Sequence, residues 1–313
     1  MSGYMIFSGT ANPELSEEIA DYLEMPLSKA SIKRFSDGEI SIQIAESVRG
    51  KDVFIVQPTS APTNANLMEL LIMTDALKRS SAKSITAVVP YYGYARQDRK
   101  AAPRVPISAK LVANLMETAG ITRVVTVDLH ASQIQGFFDI PVDNLYGAIL
   151  FLDYIKNKNF KNPIIASPDI GGVTRARYFA NKLKLDMVIV DKRREKANES
   201  EVMNIIGNVD GKDVILIDDL IDTAGTMVKA ASALKNLGAT SVMACCTHPV
   251  LSGPALERIE NGDLDELVVA NTIPIPSNMK ISKIKMLSTA SMLAEVIRRV
   301  HNNESVNSLF ETT

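Results

Sequence analysis

The chain has 313 residues and a formal net charge of −2, with 46% hydrophobic and 22% charged residues. This is the make-up of an ordinary folded protein, long enough for two domains, and it excludes the strongly basic footprint of a nucleic-acid or anionic-membrane binder. The two cysteines, Cys245 and Cys246, are adjacent; on a strand they point to opposite faces, which excludes a disulfide framework.

The opening residues lack a basic stretch followed by a long apolar core, and no apolar run is long enough to span a bilayer, so a cytoplasmic protein is expected. In chain order, β-branched runs predict strands at 4–7, 52–57, 84–92 and 123–129. A second series follows at 163–169, 187–192, 214–219, 241–246 and 266–271. Helical patterns lie between them, among them 13–25, 64–80 and 225–238. In the last of these, Val228, Ala231 and Leu234 line one face, and Gly238 stands where a helix-ending glycine belongs. Near-continuous apolar strands with helical crossovers mean mostly parallel sheets flanked by helices. The two series predict two similar α/β domains, 1–143 and 144–303, with a tail, 304–313, expected to pack back on the first.

In open parallel sheets, ligands bind outside the carboxyl ends of the strands. Five predicted strands end in charged or glycine-rich stretches: "YYGYARQDRK", "DLH", "SPDIGGVTR", "DKRREKANE" and "DDLIDTAGT". The last, within "VILIDDLIDTAGT" (214–226), is the most informative. Two adjacent carboxylates at the end of a buried strand are costly unless something binds them. The loop Asp222, Thr223, Ala224, Gly225 and Thr226 leads into a helix, and its unhindered N–H groups and hydroxyls suit a phosphate. Asp218 and Asp219 beside it can accept from two vicinal hydroxyls. A phosphorylated pentose fits both ends; an ordinary capped helix after a strand explains the spacing equally well. No lysine follows the glycine as in a Walker A loop, and no G-x-G-x-x-G occurs.

"VILIDDLIDTAGT" resembles the phosphoribosyl-diphosphate motif shared by type I phosphoribosyltransferases and ribose-phosphate diphosphokinases (PRPP synthases). The blocks "FSDGE" (35–39), "YYGYARQDRK" (91–100), "DLHASQIQGFF" (128–138), "SPDIGGVTRAR" (167–177), "KRREKANE" (192–199) and "THPVLSGPA" (247–255) are similar, in order, to those of class I PRPP synthases. The resemblance implies two phosphoribosyltransferase-like domains and transfer of the diphosphoryl group of ATP to ribose 5-phosphate, giving PRPP and AMP. A phosphoribosyltransferase and a catalytically silent regulatory subunit are the alternatives. The first has no ATP block and a single domain; the second lacks the catalytic lysine or a metal residue, and Lys192, Arg194, His130 and Asp169 are all present.

The resemblance also implies residue roles. Asp218, Asp222, Thr223, Ala224, Gly225 and Thr226 correspond to the ribose 5-phosphate site, with Asp219 either structural or a holder of metal-bound water. Arg96 and Gln97 correspond to the ATP pair, and Phe35, Asp37, Gly38 and Glu39 to an adenine-reading loop that completes a neighbouring subunit's site. His130 and Asp169 match Mg²⁺ positions, His130 directly or through water, and Gly171 and Gly172 would let the backbone approach a diphosphate. Lys192 and Arg194 match the catalytic lysine and arginine on a mobile loop, Arg194 also facing ribose 5-phosphate. A homohexamer is implied, with phosphate and ADP as effectors; Ser47, Arg49, Ser305 and Ser308 are the candidates for a regulatory anion site.

Overall fold

The computed structural model describes residues 3–193, 202–276 and 281–306; Arg194, Ser308 and most of the 191–199 block lie outside them. The chain forms two compact α/β units. The first comprises the chain as far as Tyr146, the short stretch Thr272–Pro274 and the segment from Ser288 onward. Its strands are β1 (Tyr4–Ser8), β2 (Ala30–Arg34), β3 (Ile40–Ile44), β4 (Asp52–Val56), β5 (Ser84–Val89), β6 (Arg123–Val127) and β7 (Val142–Leu145). β1, β4, β5, β6 and β7 form a parallel sheet in that order, and β2 and β3 pair as a separate antiparallel hairpin.

Successive side chains on a strand face opposite ways, and both faces of this sheet are covered. Val53 and Ile55 of β4 join Leu70, Met73 and Leu77 of α2 (Thr63–Arg79) with Val112 and Met116 of α3 (Ser108–Ala119). Phe54 and Val56 instead meet Leu15 and Ile19 of α1 (Pro13–Tyr22) together with Leu293, Val296 and Ile297 of α8 (Ala290–Asn302). The expected domain 144–303 places this last helix with the second sheet, whereas it packs on the first. Its apolar residues recur at helical spacing, which says that one face is buried but not against which sheet. The helix is further tied to the first unit by His301, whose Nδ1 lies 3.1 Å from Asp52 Oδ2 and whose ring packs 4.6 Å from that of Tyr4. Val306 of the tail packs on the same cluster. Ile297→Ala, at a fully buried position, should therefore destabilise the first unit by about 2–5 kcal/mol. Chemical denaturation followed by a probe in that unit checks it, and an unshifted midpoint would contradict this packing.

The second unit comprises Gly147–Asn271 and Ile275–Leu287. Its strands are β8 (Pro163–Ser167), β9 (Met187–Arg193), β10 (Val202–Ile206), β11 (Asp213–Ile221), β12 (Ser241–Pro249), β13 (Glu266–Ala270) and β14 (Ile284–Leu287). The sheet order is β10-β9-β8-β11-β12-β13-β14, parallel except for β10 against β9. One face packs on α4 (Ala148–Lys156) and α5 (Val173–Leu183), the other on α6 (Gly225–Asn236) and α7 (Ala255–Asn261). Cys245 faces the first pair and Cys246 the second; both are free and fully buried. Among the described residues no helix is long and apolar enough to cross a membrane.

Candidate active site

β11 continues through both aspartates to Ile221 because β12 pairs with it to the end, Asp218 opposite Cys246 and Ile221 opposite Pro249, whereas the pairing with β8 stops at Leu216. Beyond that point Gly172 closes in: a Cβ there would lie 3.0 Å from Ser167 Oγ and 3.8 Å from Ile217 O, so the close approach suits glycine. Asp219 is buried and Asp218 half-buried. Their counter-charge is Arg175, from the first turn of α5, with Nη1 3.1 Å from Asp219 Oδ1 and 3.6 Å from Asp218 Oδ1. The Asp219 N–H also donates to Asp218 Oδ1 at 2.8 Å. Burial and then the neighbouring Asp219 charge push the Asp218 carboxyl well above the usual carboxylate range, and Arg175 offsets this only in part. The guanidinium is a partner that pattern reading missed. Its signal was the need for a cation beside two buried carboxylates.

The loop after β11 enters α6 through Ala224, a buried residue held in the left-handed region at φ 59°. The first N–H groups of a helix lack acceptors within it and can receive an anion. A segment from β12 to α7 fastens this loop. Leu251 N–H donates to Ile221 O at 3.0 Å and Ser252 N–H to Asp222 O at 3.1 Å. Ser252 Oγ hydrogen-bonds Asp222 Oδ1, and Arg258 Nη1 donates to Thr223 O at 3.0 Å.

Asp169 follows β8, half-buried, with Oδ1 accepting from Gly172 N–H at 2.8 Å and its carbonyl accepting from Ser167 Oγ at 2.6 Å. Lys192 lies within β9, opposite Met203 in the ladder with β10, so its backbone belongs to a strand rather than to the expected loop. Asp169 and the loop 222–226 thus follow strands, while Lys192 and the aspartate pair lie within the carboxyl-terminal halves of β9 and β11, all toward the carboxyl edge of the second sheet.

The first unit carries its candidates separately. "FSDGE" is the tip of the β2–β3 hairpin, closed by Phe35 N–H to Glu39 O at 2.8 Å and Gly38 N–H to Phe35 O at 2.9 Å, with Gly38 at φ 94°. Glu39 N–H donates to Asp37 Oδ1 at 3.0 Å. The tip is exposed throughout, the Phe35 ring at 59%. Arg96 and Gln97 are exposed in the connection after β5, where Gln97 N–H donates to Tyr94 O at 3.0 Å and Ser108 Oγ bonds the Gln97 side chain. The connection is anchored from beneath: Gly93 N–H donates to Thr59 Oγ1 at 2.7 Å. His130 is exposed after β6. Ser47 and Arg49 are exposed before β4; Ser305 is exposed after α8, its carbonyl accepting from Arg299 Nη1 at 3.0 Å. Among the described residues no three of His, Cys, Asp and Glu are grouped to hold a metal ion.

The family described as the N-terminal domain of ribose phosphate pyrophosphokinase matches residues 4–120, and the phosphoribosyl synthetase-associated domain matches 193–311. The chain is similar to the ribose-phosphate pyrophosphokinase of Wolinella succinogenes, at 74% identity over 99% of this chain and 100% of the relative. It is 72% identical to that of Campylobacter jejuni, over 99% of this chain and 100% of the relative. The crystal structure of phosphoribosylpyrophosphate synthetase from Mycobacterium smegmatis superposes with a TM-score of 0.92 at 43% identity, covering 96% of this chain and 100% of that one.

Proposed function

We propose a division of labour among these residues from one premise: the chain belongs to the ribose-phosphate pyrophosphokinase family. As a member it is an enzyme of nucleotide biosynthesis that forms PRPP and AMP from ATP and ribose 5-phosphate. The observation that carries the residue assignment is the acidic pair of β11, running directly into a loop that opens a helix N-terminus. In this reading the loop 222–226 takes the 5-phosphate and Asp218 accepts from a ring hydroxyl, while Asp219 is held by Arg175 and serves structurally.

The C1 hydroxyl oxygen of the sugar attacks the β-phosphorus of ATP and gives up its proton to solvent, the bond to the α–β bridging oxygen breaks, and AMP leaves with that oxygen. Negative charge grows on the β-phosphoryl and leaving oxygens, and such transfers depend on positioning and positive charge. Lys192 and Arg194 supply that charge in this reading. Arg96 and Gln97 hold ATP. The hairpin tip Phe35, Asp37, Gly38 and Glu39 reads adenine in a neighbouring subunit of a homohexamer, a role supported by its full exposure in its own chain. The cofactor in this reading is Mg²⁺: Asp169 and His130 are the residues that would hold it, and an ion that retains most of its waters would need no larger cluster of protein ligands. When bound, it neutralises phosphate charge. The protein is assigned to the cytoplasm.

The test is AMP release from ATP that depends on ribose 5-phosphate, with PRPP formed in equal amount. A phosphoribosyltransferase would consume PRPP instead, and a silent subunit would do neither.

Regulation is assigned to Ser47, Arg49, Ser305 and Ser308 as a site for phosphate and ADP. The His301–Asp52 contact supports this, because it brings the end of α8 to the start of β4, close in sequence to Arg49. Arg49→Ala should reduce phosphate activation and ADP inhibition several-fold while uneffected turnover persists. Effector titrations that match wild type would remove Arg49 from that role.

A further inference from the structure

The block 247–255 is absorbed by none of the assigned chemistry, yet it and Arg258 are fastened to the loop that opens α6. Ser252 meets Asp222 twice, through its N–H to the carbonyl at 3.1 Å and through its hydroxyl to Oδ1. Arg258 Nη1 donates to the Thr223 carbonyl at 3.0 Å, and a Cβ built on Gly225 would lie only 3.2 Å from that nitrogen. We propose that Ser252 and Arg258 are positioning residues of the phosphate loop and set the affinity for ribose 5-phosphate. This rests on the reading of 222–226 as the sugar-phosphate loop.

The reasoning is electrostatic and conformational. A carboxylate within an anion-binding loop repels the incoming phosphate unless it is turned aside, and the Ser252 hydroxyl holds Asp222 by a charge-assisted hydrogen bond. The Thr223 carbonyl and the Ala224 N–H belong to one trans peptide plane and point opposite ways. By anchoring that carbonyl, Arg258 fixes the direction of the Ala224 N–H and keeps an acceptor from turning toward the phosphate. Ala224 itself occupies the left-handed region at φ 59°, which an L-residue does not hold unless its neighbours fix it. A loop already fixed loses less conformational freedom when it binds. Arg258 also brings a positive charge to the edge of the anion site.

Ser252→Ala and Arg258→Gln should each raise the KM for ribose 5-phosphate about tenfold, corresponding to the loss of one good hydrogen bond. The KM for ATP should stay within about twofold of wild type, and kcat should fall less than that KM rises. Ser252→Thr should restore affinity. Arg258→Lys should not, because an ammonium cannot reproduce the planar fork. Both positions are exposed, so thermal midpoints near wild type are expected and show that the fold is retained. Thr226→Val, within the loop, serves as the reference. If it raises the KM for ribose 5-phosphate and the Ser252 and Arg258 variants do not, or if they raise both KM values equally, the positioning role is wrong. If Thr226→Val also leaves that KM unchanged, the loop reading itself fails.

Discussion

Lys192→Ala is expected to lower kcat by roughly 10²–10³ while the KM values for ATP and ribose 5-phosphate change only a few-fold, because the ammonium acts mainly on charge that appears in the transition state. The position favours this role. Lys192 is paired across the β9–β10 ladder opposite Met203, so its backbone is held by strand hydrogen bonds. Steady-state kinetics and a single-turnover measurement of AMP release decide the matter; near-wild-type kcat would remove Lys192 from the chemistry. Lys192→Arg, which keeps the charge but alters its shape, should recover part of the loss.

Asp218→Asn should weaken ribose 5-phosphate binding by about tenfold or more, the usual loss for a hydrogen bond to a charged group, and leave ATP binding in place. The same change should stabilise the ligand-free protein at neutral pH. In wild type, burial and the Asp219 charge raise the Asp218 carboxyl above its unfolded value. The folded state therefore binds this proton more tightly than the unfolded state does. Its contribution to stability is fully present below the unfolded pKa and is lost as pH rises through the folded one. The asparagine has no such loss. Melting curves between pH 5 and pH 8 should show the variant gaining on wild type toward the upper end, and calorimetry with each substrate alone reports the binding. Equal losses for both substrates would mean that Asp218 holds the metal instead. A melting difference that does not change with pH would show that the carboxyl is not strained by burial.

The parallel strands were legible because each is a continuous apolar run covered on both faces. Strands β2 and β3 were missed for the opposite reason. Ile32, Ile40, Ile42 and Ile44 alternate with polar residues over short half-buried stretches, a weaker signal than an unbroken run. β7, "VDNL", carries two polar residues, and β14, "IKML", is short and only partly buried; sheet pairing rather than composition makes them strands. At the site, two carboxylates after an apolar run announce themselves. Arg175 and Arg258 do not, because a helical arginine looks alike in sequence whether it faces solvent or an acidic strand 44 positions away, as Arg175 does. The block 247–255 is visible in the sequence, but its hydrogen bonds to the loop 222–226 exist only once the chain is folded.

The return of α8 to the first sheet has a consequence for how the molecule is made. Along the chain, the whole second unit is an insertion between the first sheet and the helix that completes it. On the ribosome, the first sheet emerges early with Phe54 and Val56 lacking their α8 partners, and it must wait while the second unit is synthesised and folds. That interval is one of exposed apolar surface and calls for chaperone protection. A chain that stops before Ala290 would keep every strand of the second sheet while the first sheet lacks its closing helix.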